Sequence, residues 1–241
     1  EVSGGYDNAT RVLSLDLTLQ EGPNGIAAQL LDLPDQPTVD LRLTGTGPID
    51  DYRAEMALAT DGQDRLTGWV ELSKLVSQDQ PETPLGNGFA VDLRGDVTAL
   101  FLPQYRDFFG TDVALRLRGQ RSNEGRLDLQ DLTVSTRSLQ LAGTAALGAD
   151  GWPERFDLSG TLQDPDGSEV LLPLSGPETR VGAARLKLAY DRQTGDRWTA
   201  DLRIDSVTRP EAVIHDLQLA GGGRGGGRGG DLRGGGAGAD G

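Results

Sequence analysis

The sequence predicts an all-β protein, an elongated antiparallel meander curled into a trough, with one short helix near residues 99–109. Leucine alternates with polar residues in RVLSLDLTL at 11–19, and the pattern returns along the chain, as in VDLRL at 39–43 and VALRL at 113–117. Because successive side chains of an extended strand point to opposite faces, each run has one apolar and one polar face. Turns rich in Gly, Pro and Asp separate the runs, which is typical of antiparallel strands with short connections.

The alternating runs and the turns between them place the strands in order. Residues 26–33 are the predicted hairpin partner of the first strand, and Asp61-Gly62 predicts a tight hairpin. We expect 45–48, Gly-Thr-Gly-Pro, to end the third strand and 77–88 to be a loop. A further hairpin is predicted between 155–163 and 169–174. The predicted strands are 11–20, 26–33, 39–44, 52–60, 65–72, 88–98, 111–118, 125–135, 139–147, 155–163, 169–174, 181–190, 197–206 and 212–219.

One strand changes phase and predicts a β-bulge. Leu127 and Leu129 occupy odd positions, whereas Leu132 and Val134 occupy even ones. A slip of one residue would turn every later side chain to the other face, so an extra residue near 130–131 is expected.

The segment ALFLPQYRDFFG at 99–110 breaks the alternation and predicts a short helix. Tyr105, Phe108 and Phe109 have the i, i+3, i+4 spacing of one helical face. Pro103 suits a first helical turn and Gly110 suits a helix end. With Phe101, these aromatics are interpreted as a helical plug that covers one end of the apolar face. The alternative is an aromatic gate or a partner-binding patch.

The composition favours a single apolar face over a compact core. Hydrophobic residues make up 36% of the chain, which reaches an ordinary level only when the 35 glycines are added, and aromatic residues make up 5%. The net charge of −14 argues against a nucleic-acid partner, because phosphate binding needs a clustered basic surface. The absence of Cys excludes disulfides, thiolate catalysis and thiolate metal sites.

The chain divides into a β-sheet trough at 1–220 and a tail at 221–241. The tail, GGGRGGGRGGDLRGGGAGADG, has nothing to bury and is predicted to be disordered, as a flexible linker or a sequence artefact. No apolar run approaches the roughly 18 residues of a membrane span. We expect the chain to be a fragment whose membrane anchor, if it has one, lies outside it.

No catalytic arrangement is recognisable. His215 is the only histidine, and it lies in a strand-like run. No nucleophile motif, phosphate-binding loop or dinucleotide-binding motif occurs, and the carboxylates fall in turns or on the polar face. The sequence therefore predicts a protein that is not an enzyme and uses no metal or cofactor.

The candidate site is the apolar face itself. A leucine that stays exposed forgoes about 1.5–3 kcal/mol of burial, and monomers rarely expose apolar patches beyond a few hundred Å² without using them. A leucine trough without a second layer is therefore filled with lipid or covered. The residues predicted to line the groove are Leu13, Leu15, Leu17, Leu19, Leu41, Leu43, Met56, Leu58, Val91, Leu93, Leu115, Leu117, Leu139, Leu141, Leu186, Leu188, Leu202 and Ile204.

Four longer segments resemble a known family. They are GPIDDYRAEMALATDGQDRLTGWVEL (47–72), FAVDLRGDVTALFLPQYRDFFGTDVALRLRG (89–119), LGADGWPERFDLSGTL (147–162) and VLLPLSGPETRV (170–181). In their order and their residue sequence they resemble the TamB-like periplasmic subunits of the bacterial translocation and assembly module, in the region upstream of the C-terminal signature domain. The resemblance covers about residues 3–219. The tail departs from the family, in which a further strand would follow.

The resemblance implies a fold, a location and partners. It implies a trough of the β-taco type, an N-terminal inner-membrane anchor outside this fragment, and a place in the periplasm. It also implies phospholipid transport towards the outer membrane and assembly of outer-membrane proteins with a barrel partner of the TamA type. The alternative hypothesis from the residues is a compact β-sandwich or β-solenoid module for adhesion or partner binding, without lipid transport.

Overall fold

The described residues form one open antiparallel sheet. The structure is a computed structural model and describes residues 2–7, 11–48, 50–77, 83–224 and 231–235. The sheet has sixteen strands. They are β1 (Val2–Asp7), β2 (Val12–Glu21), β3 (Val39–Pro48), β4 (Asp51–Thr60), β5 (Gln63–Val76), β6 (Pro84–Gly95), β7 (Val113–Ser122), β8 (Leu127–Ser135), β9 (Leu139–Leu147), β10 (Pro153–Leu162), β11 (Val170–Leu171), β12 (Arg180–Val181), β13 (Ala184–Asp191), β14 (Arg197–Arg209), β15 (Ala212–Arg224) and β16 (Asp231–Gly235).

The strands follow one another as a meander. From β1 to β10 each strand pairs with the next in the chain, and β13, β14, β15 and β16 continue the sheet. The short β12 pairs with the end of β14 beyond β13, and β11 pairs with β12. In the described part of the chain the outermost strands do not pair with each other. The predicted all-β antiparallel meander is confirmed.

The connections differ between the two ends of the strands. One end, which we call the long-loop end, carries the connections 22–38, 96–112 and 163–183. The opposite end, the short-turn end, carries compact turns such as 123–126, 148–152 and 192–196. Among the connections that the structure describes, the long ones therefore all lie at one end of the strands, the long-loop end.

The predicted hairpin partner of the first strand is wrong. Ile26–Leu30 is a short helix, α1, and β2 pairs with β3 instead. The residues Ala27, Ala28, Gln29 and Leu30 all favour helix. The Glu21 carboxylate accepts a hydrogen bond from the Ala27 N–H at 2.7 Å, which satisfies one of the free donors at the helix start.

Residues 45–48 continue β3, although they were predicted to end it. Gly45 lies opposite Leu15 in the pairing with β2. A β-carbon at Gly45 would collide with the carbonyl oxygen of Arg53 and crowd the Tyr52 hydroxyl on β4. Here glycine allows β3 and β4 to approach closely. Gly45 was expected to end β3, and instead it lets the strand continue.

The predicted hairpin between 155–163 and 169–174 is also wrong. The partner of β10 is β13, and the intervening segment contributes only the two-residue strands β11 and β12. Pro173 and Pro177 flank the turn between those strands, and proline cannot donate a ladder hydrogen bond. The Glu169 carboxylate fixes this segment to β14, because it accepts hydrogen bonds from the hydroxyls of Ser206 at 2.7 Å and Thr208 at 2.9 Å.

Two parts of the predicted disordered tail belong to the sheet. Gly221–Arg224 extends β15 along β14, and Asp231–Gly235 forms β16 on the outer edge of β15. A glycine backbone offers the same N–H and C=O groups as any other residue, so an open sheet edge can pair with it. The rest of the tail lies outside the described residues, as do residues 78–82 of the predicted loop at 77–88. The end of that loop, from Pro84, belongs to β6.

The predicted bulge and the Asp61-Gly62 hairpin are confirmed. In the pairing of β7 with β8, Gly119 lies opposite Leu129 and Arg118 lies opposite Asp131, so Gln130 is the extra residue. Asp61 and Gly62 both have positive φ, at 50° and 71°, as the tight turn requires.

The Glu169 contact predicts a pH-dependent contribution to stability. Hydrogen bonds from Ser206 and then Thr208 hold the pKa of Glu169 below its usual value of about 4.5. A carboxyl whose pKa is depressed in the fold stabilises it above the unfolded pKa, and this contribution is lost as the pH falls through the folded pKa. Glu169→Gln should therefore lower the urea midpoint at pH 7, and its difference from wild type should shrink below about pH 4.5. The matched control Glu178→Gln removes an exposed carboxylate beside Arg180 and should change little. A Glu169→Gln difference that stays constant with pH would contradict this assignment.

Candidate functional site

All the residues predicted to line the groove lie on one face of the sheet. Directly opposite residues of antiparallel strands share a face, so the register can be followed from strand to strand. A central row crosses from β2 to β15 without a polar residue. Its members are Leu17, Leu43, Met56, Gly68, Leu93, Leu115, Val134, Leu141, Gly160, Leu186, Leu202 and Leu219.

A second row runs beside the central row, two residues nearer the short-turn end. Its members are Ala54, Val70, Val91, Leu117, Leu132, Gly143, Leu158, Leu188 and Ala200. The remaining predicted residues are an even number of positions from these rows on their own strands, and they share the face for that reason. They are Leu13, Leu15, Leu19, Leu41, Leu58, Leu139 and Ile204.

The face is long and largely uncovered. At about 4.8 Å between strands, the central row is about 50 Å long. Of the predicted groove residues only Leu93, at 9% exposure, is classed as buried, and all the others are half-buried. A second sheet packed on this face would bury most of them. Their neighbours in the same sheet therefore provide most of the burial, and their outer surface stays accessible.

Glycines interrupt both rows without introducing polar groups. A β-carbon at Gly68 would collide with the carbonyl oxygen of Asp92, and one at Gly143 with that of Asp157. The neighbouring strand thus comes too close for any side chain. Sequence reasoning missed these positions because a glycine carries no hydrophobic signal, and only the cross-strand register reveals where it lies.

A third row, nearest the short-turn end, contains most of the aromatic residues of the sheet and was not predicted as part of the groove. It includes Tyr52, Phe89, Phe156, Tyr190 and Trp198. The rings of Phe156 and Tyr190 stack with centroids 5.6 Å apart. Each of these aromatics is an even number of residues from a leucine of the same strand. This spacing was the signal in the sequence that they share the face of the leucines.

The aromatic segment between β6 and β7 forms the predicted short helical element. It consists of two 3-10 turns, Thr98–Leu100 and Pro103–Tyr105, followed by the single α turn α2 (Arg106–Phe109). Phe101 stacks on Phe109 with ring centroids 3.7 Å apart, and Phe108 meets Phe109 edge-on at 5.0 Å. Phe108 is buried, whereas Phe101, Tyr105 and Phe109 are half-buried.

Hydrogen bonds hold this helical plug on the turn between β8 and β9. The Phe108 carbonyl accepts from the Thr136 hydroxyl at 2.9 Å and from the Ser138 N–H at 3.2 Å. The Phe109 carbonyl accepts from the Arg137 N–H at 2.9 Å. Thr136 in turn accepts from the Leu139 N–H at 2.9 Å. The free carbonyls of the helix end are therefore satisfied by a neighbouring strand connection.

Residues of α1 and Leu100 of the plug pack at the long-loop end of the apolar face, over the start of β3. Ala28 and Leu33, from the α1 connection, form a buried cluster with Val39 at the start of β3. Leu58 of β4 and Leu100 of the plug both pack against this cluster. Leu58 therefore lies under the covering residues, and the accessible part of the face begins further from this end.

The opposite face of the sheet is polar and its charges are mostly paired locally. Arg116 lies 3.3 Å from Asp92 across β6 and β7, and the Arg53 guanidinium stacks 4.1 Å above the Trp69 ring. Apart from this face, His215 lies opposite Ser206 towards the start of β15 and is exposed. Among the described residues, no group of three His, Asp or Glu side chains could hold a metal ion. This face has the pattern of a solvated sheet surface.

Comparisons with known proteins give no assignment: no protein-family model matches the chain, and neither a curated protein nor a solved structure is significantly similar to it. The resemblance to the TamB-like subunits stays a prediction. In the part of the chain that the structure describes, no helix has the length and apolarity needed to cross a membrane.

The hydrogen bonds of Thr136 lead to a prediction about the plug. Thr136→Val keeps the shape of the side chain but leaves the Phe108 carbonyl and the Leu139 N–H without this partner. Leaving buried polar groups unsatisfied costs about 1–3 kcal/mol, so urea unfolding should show a loss of about 2 kcal/mol. The matched control Thr133→Val lies on the polar face of β8, three residues before Thr136, and its hydroxyl contacts only Asp131 among the described residues. Equal losses in both variants would show that Thr136 does not anchor the plug.

Proposed function

We propose that the apolar face binds the acyl chains of phospholipid and forms a segment of a lipid conduit. The observation that carries this proposal is the central row, which stays free of polar side chains from β2 to β15. In the part of the chain that the structure describes, no second layer lies on it. A row about 50 Å long is longer than the roughly 15 Å half-thickness of a bilayer core. The face could therefore hold several acyl chains side by side, and a chain could move from strand to strand along the rows without meeting a charge.

Hydrophobic burial supplies the driving force. Each methylene that leaves water contributes about 0.8 kcal/mol, and the half-buried leucines gain contact area at the same time. The polar face keeps the outside of the sheet in water, and the net charge of −14 opposes association of two copies. An apolar ligand thus buries the exposed apolar face, and two copies of the protein do not need to associate to bury it.

The resemblance supplies the biological setting of this proposal. In that setting the chain is part of a periplasmic protein tethered to the inner membrane by a segment outside it. Phospholipid travels along the groove towards the outer membrane, and an outer-membrane barrel protein of the TamA type is the partner in barrel assembly. No cofactor, metal or nucleic acid takes part in this proposal.

Bound lipid is the direct test. We expect the protein purified without detergent to carry phospholipid that organic extraction and mass spectrometry detect. Small-angle scattering should give a radius of gyration clearly above the roughly 18 Å of a compact domain of this length. Protein without lipid and with a compact radius would contradict the conduit and favour the alternative adhesion or partner-binding module.

Charges placed on the apolar face should reduce lipid binding. Leu43→Glu and Leu186→Glu each place a carboxylate in the central row, where an acyl chain would have to desolvate it. Each should lower the bound lipid several-fold. The matched controls, Thr44→Glu and Lys187→Glu, each place a carboxylate one residue away on the polar face, in the second case in place of a cation, and should retain wild-type lipid.

Unfolding must be separated from loss of binding in this experiment. Circular dichroism and the urea midpoint of each variant identify those that still fold. Folded Leu43→Glu or Leu186→Glu protein with undiminished lipid would contradict the groove. If both inward variants unfold while their controls fold, the face is a structural core and the proposal fails.

A further inference from the structure

A cavity of about 500 Å³ opens at the short-turn end of the apolar face. It lies between the turn 148–152, which joins β9 to β10, and the turn 192–196, which joins β13 to β14. Because both turns lie at the short-turn end, the cavity is at the lip opposite the one where α1 and Leu100 of the plug pack. The residues that decide its chemistry are Asp150, Trp152, Phe156, Tyr190, Arg192 and Asp196.

The apolar part of the cavity is continuous with the apolar face. Phe156 and Tyr190 lie directly opposite each other on β10 and β13, and both belong to the third row. Their rings stack at 5.6 Å with an angle of 28° between the planes. Trp152 is 70% exposed at the rim. A ligand whose tail extends from the third row onto the apolar face would therefore place its polar end among these three aromatic rings.

The polar part of the cavity contains both signs of charge. The Asp196 carboxylate accepts a hydrogen bond from the Tyr190 hydroxyl at 2.8 Å, and the Asp150 carboxylate accepts one from the main-chain N–H of Trp152 at 3.1 Å. Both carboxylates retain further acceptor positions. The Arg192 guanidinium has no ion-pair partner among the described residues, although its main-chain N–H donates to the Glu154 carbonyl at 2.8 Å.

These groups match the two charges of a zwitterionic headgroup. An ammonium is attracted to aromatic ring faces and to carboxylates. A guanidinium forms charge-assisted hydrogen bonds with phosphate oxygens. A headgroup that is only anionic would satisfy Arg192 but would leave two carboxylates beside aromatic rings without a cation.

We propose that this cavity binds the headgroup of a zwitterionic glycerophospholipid, with the ammonium over the aromatic rings near Asp150 and Asp196 and the phosphate at Arg192. This inference rests on the proposed function, because it assumes that the acyl chains lie on the apolar face. It adds a headgroup preference, which a purely apolar groove would not show.

Short-chain, water-soluble phosphatidylethanolamine and phosphatidylglycerol with identical acyl chains test the preference. Binding to the full chain is measured by calorimetry and by tryptophan fluorescence, below the micelle concentration. We expect phosphatidylethanolamine to bind about tenfold more tightly, since an ammonium placed over aromatic rings and beside carboxylates gains an effect of this order.

Two variants separate the roles of the charges. D150N/D196N keeps an oxygen that can accept from Trp152 and Tyr190 but removes both negative charges, so the preference should fall to about twofold or less. Arg192→Gln should weaken both lipids alike, because both carry a phosphate. The matched control D157N/D201N removes two carboxylates from the polar face of β10 and β14 and should retain the tenfold preference.

The outcomes distinguish this inference from the proposed function. Equal affinity of wild type for the two lipids would overturn the headgroup site and leave the acyl groove intact. An unchanged preference in folded D150N/D196N protein would also overturn the site. Binding of neither lipid would overturn the proposed function, and the headgroup site with it.

Discussion

The structure depends on one constraint: every strand must keep its two-residue period in register with its neighbours. A slip of one residue anywhere would bring polar side chains onto the apolar face for the rest of that strand. Where the chain's own phase changes, a bulge corrects it. Gln130 is the extra residue in β8 opposite β7, and Arg65 is the extra residue in β5 opposite β4. The rows stay unbroken through β8 because the Gln130 bulge falls where the leucine spacing changes, between Leu129 and Leu132.

Most strands could be predicted because their pattern is local. Alternation over eight or nine residues needs no knowledge of a distant partner, and β9 was predicted with its observed bounds, Leu139–Leu147. The failures occurred where the outcome depends on residues far away in the chain. The Ala27–Leu30 segment becomes helical over the start of β3. Residues 169–174 do not pair with β10, because β13 occupies that edge of β10, and only Val170–Leu171 pairs, with β12. The glycine-rich segments 45–48 and 221–224 join the sheet through backbone hydrogen bonds. Such segments show no alternation of hydrophobic side chains from which a strand could be predicted.

The candidate site was predictable in part for the same reason. The leucines of the central row carry the signal in their own strands, but Gly68 and Gly160 become members only through their neighbours. The aromatics of the third row were visible at even spacings and were overlooked because the leucine repeats are more frequent. The cavity at the short-turn end could not be predicted, since it joins two turns that the register of β10 and β13 brings together.

The two lips of the sheet differ in a way that bears on how a ligand would reach the face. At the long-loop end, α1 and the plug contact each other through Leu100 and close over Leu58. The short-turn end carries compact turns, the third row and the exposed Trp152. Tryptophan and tyrosine suit positions where an apolar body meets a wet edge. An amphiphile would therefore enter the face from the short-turn end. Its tail would point towards the long-loop end, and its charged group would stay at the short-turn end. In that arrangement the rows can hold many chains side by side along the sheet, and movement along the sheet never requires a headgroup to cross the apolar face.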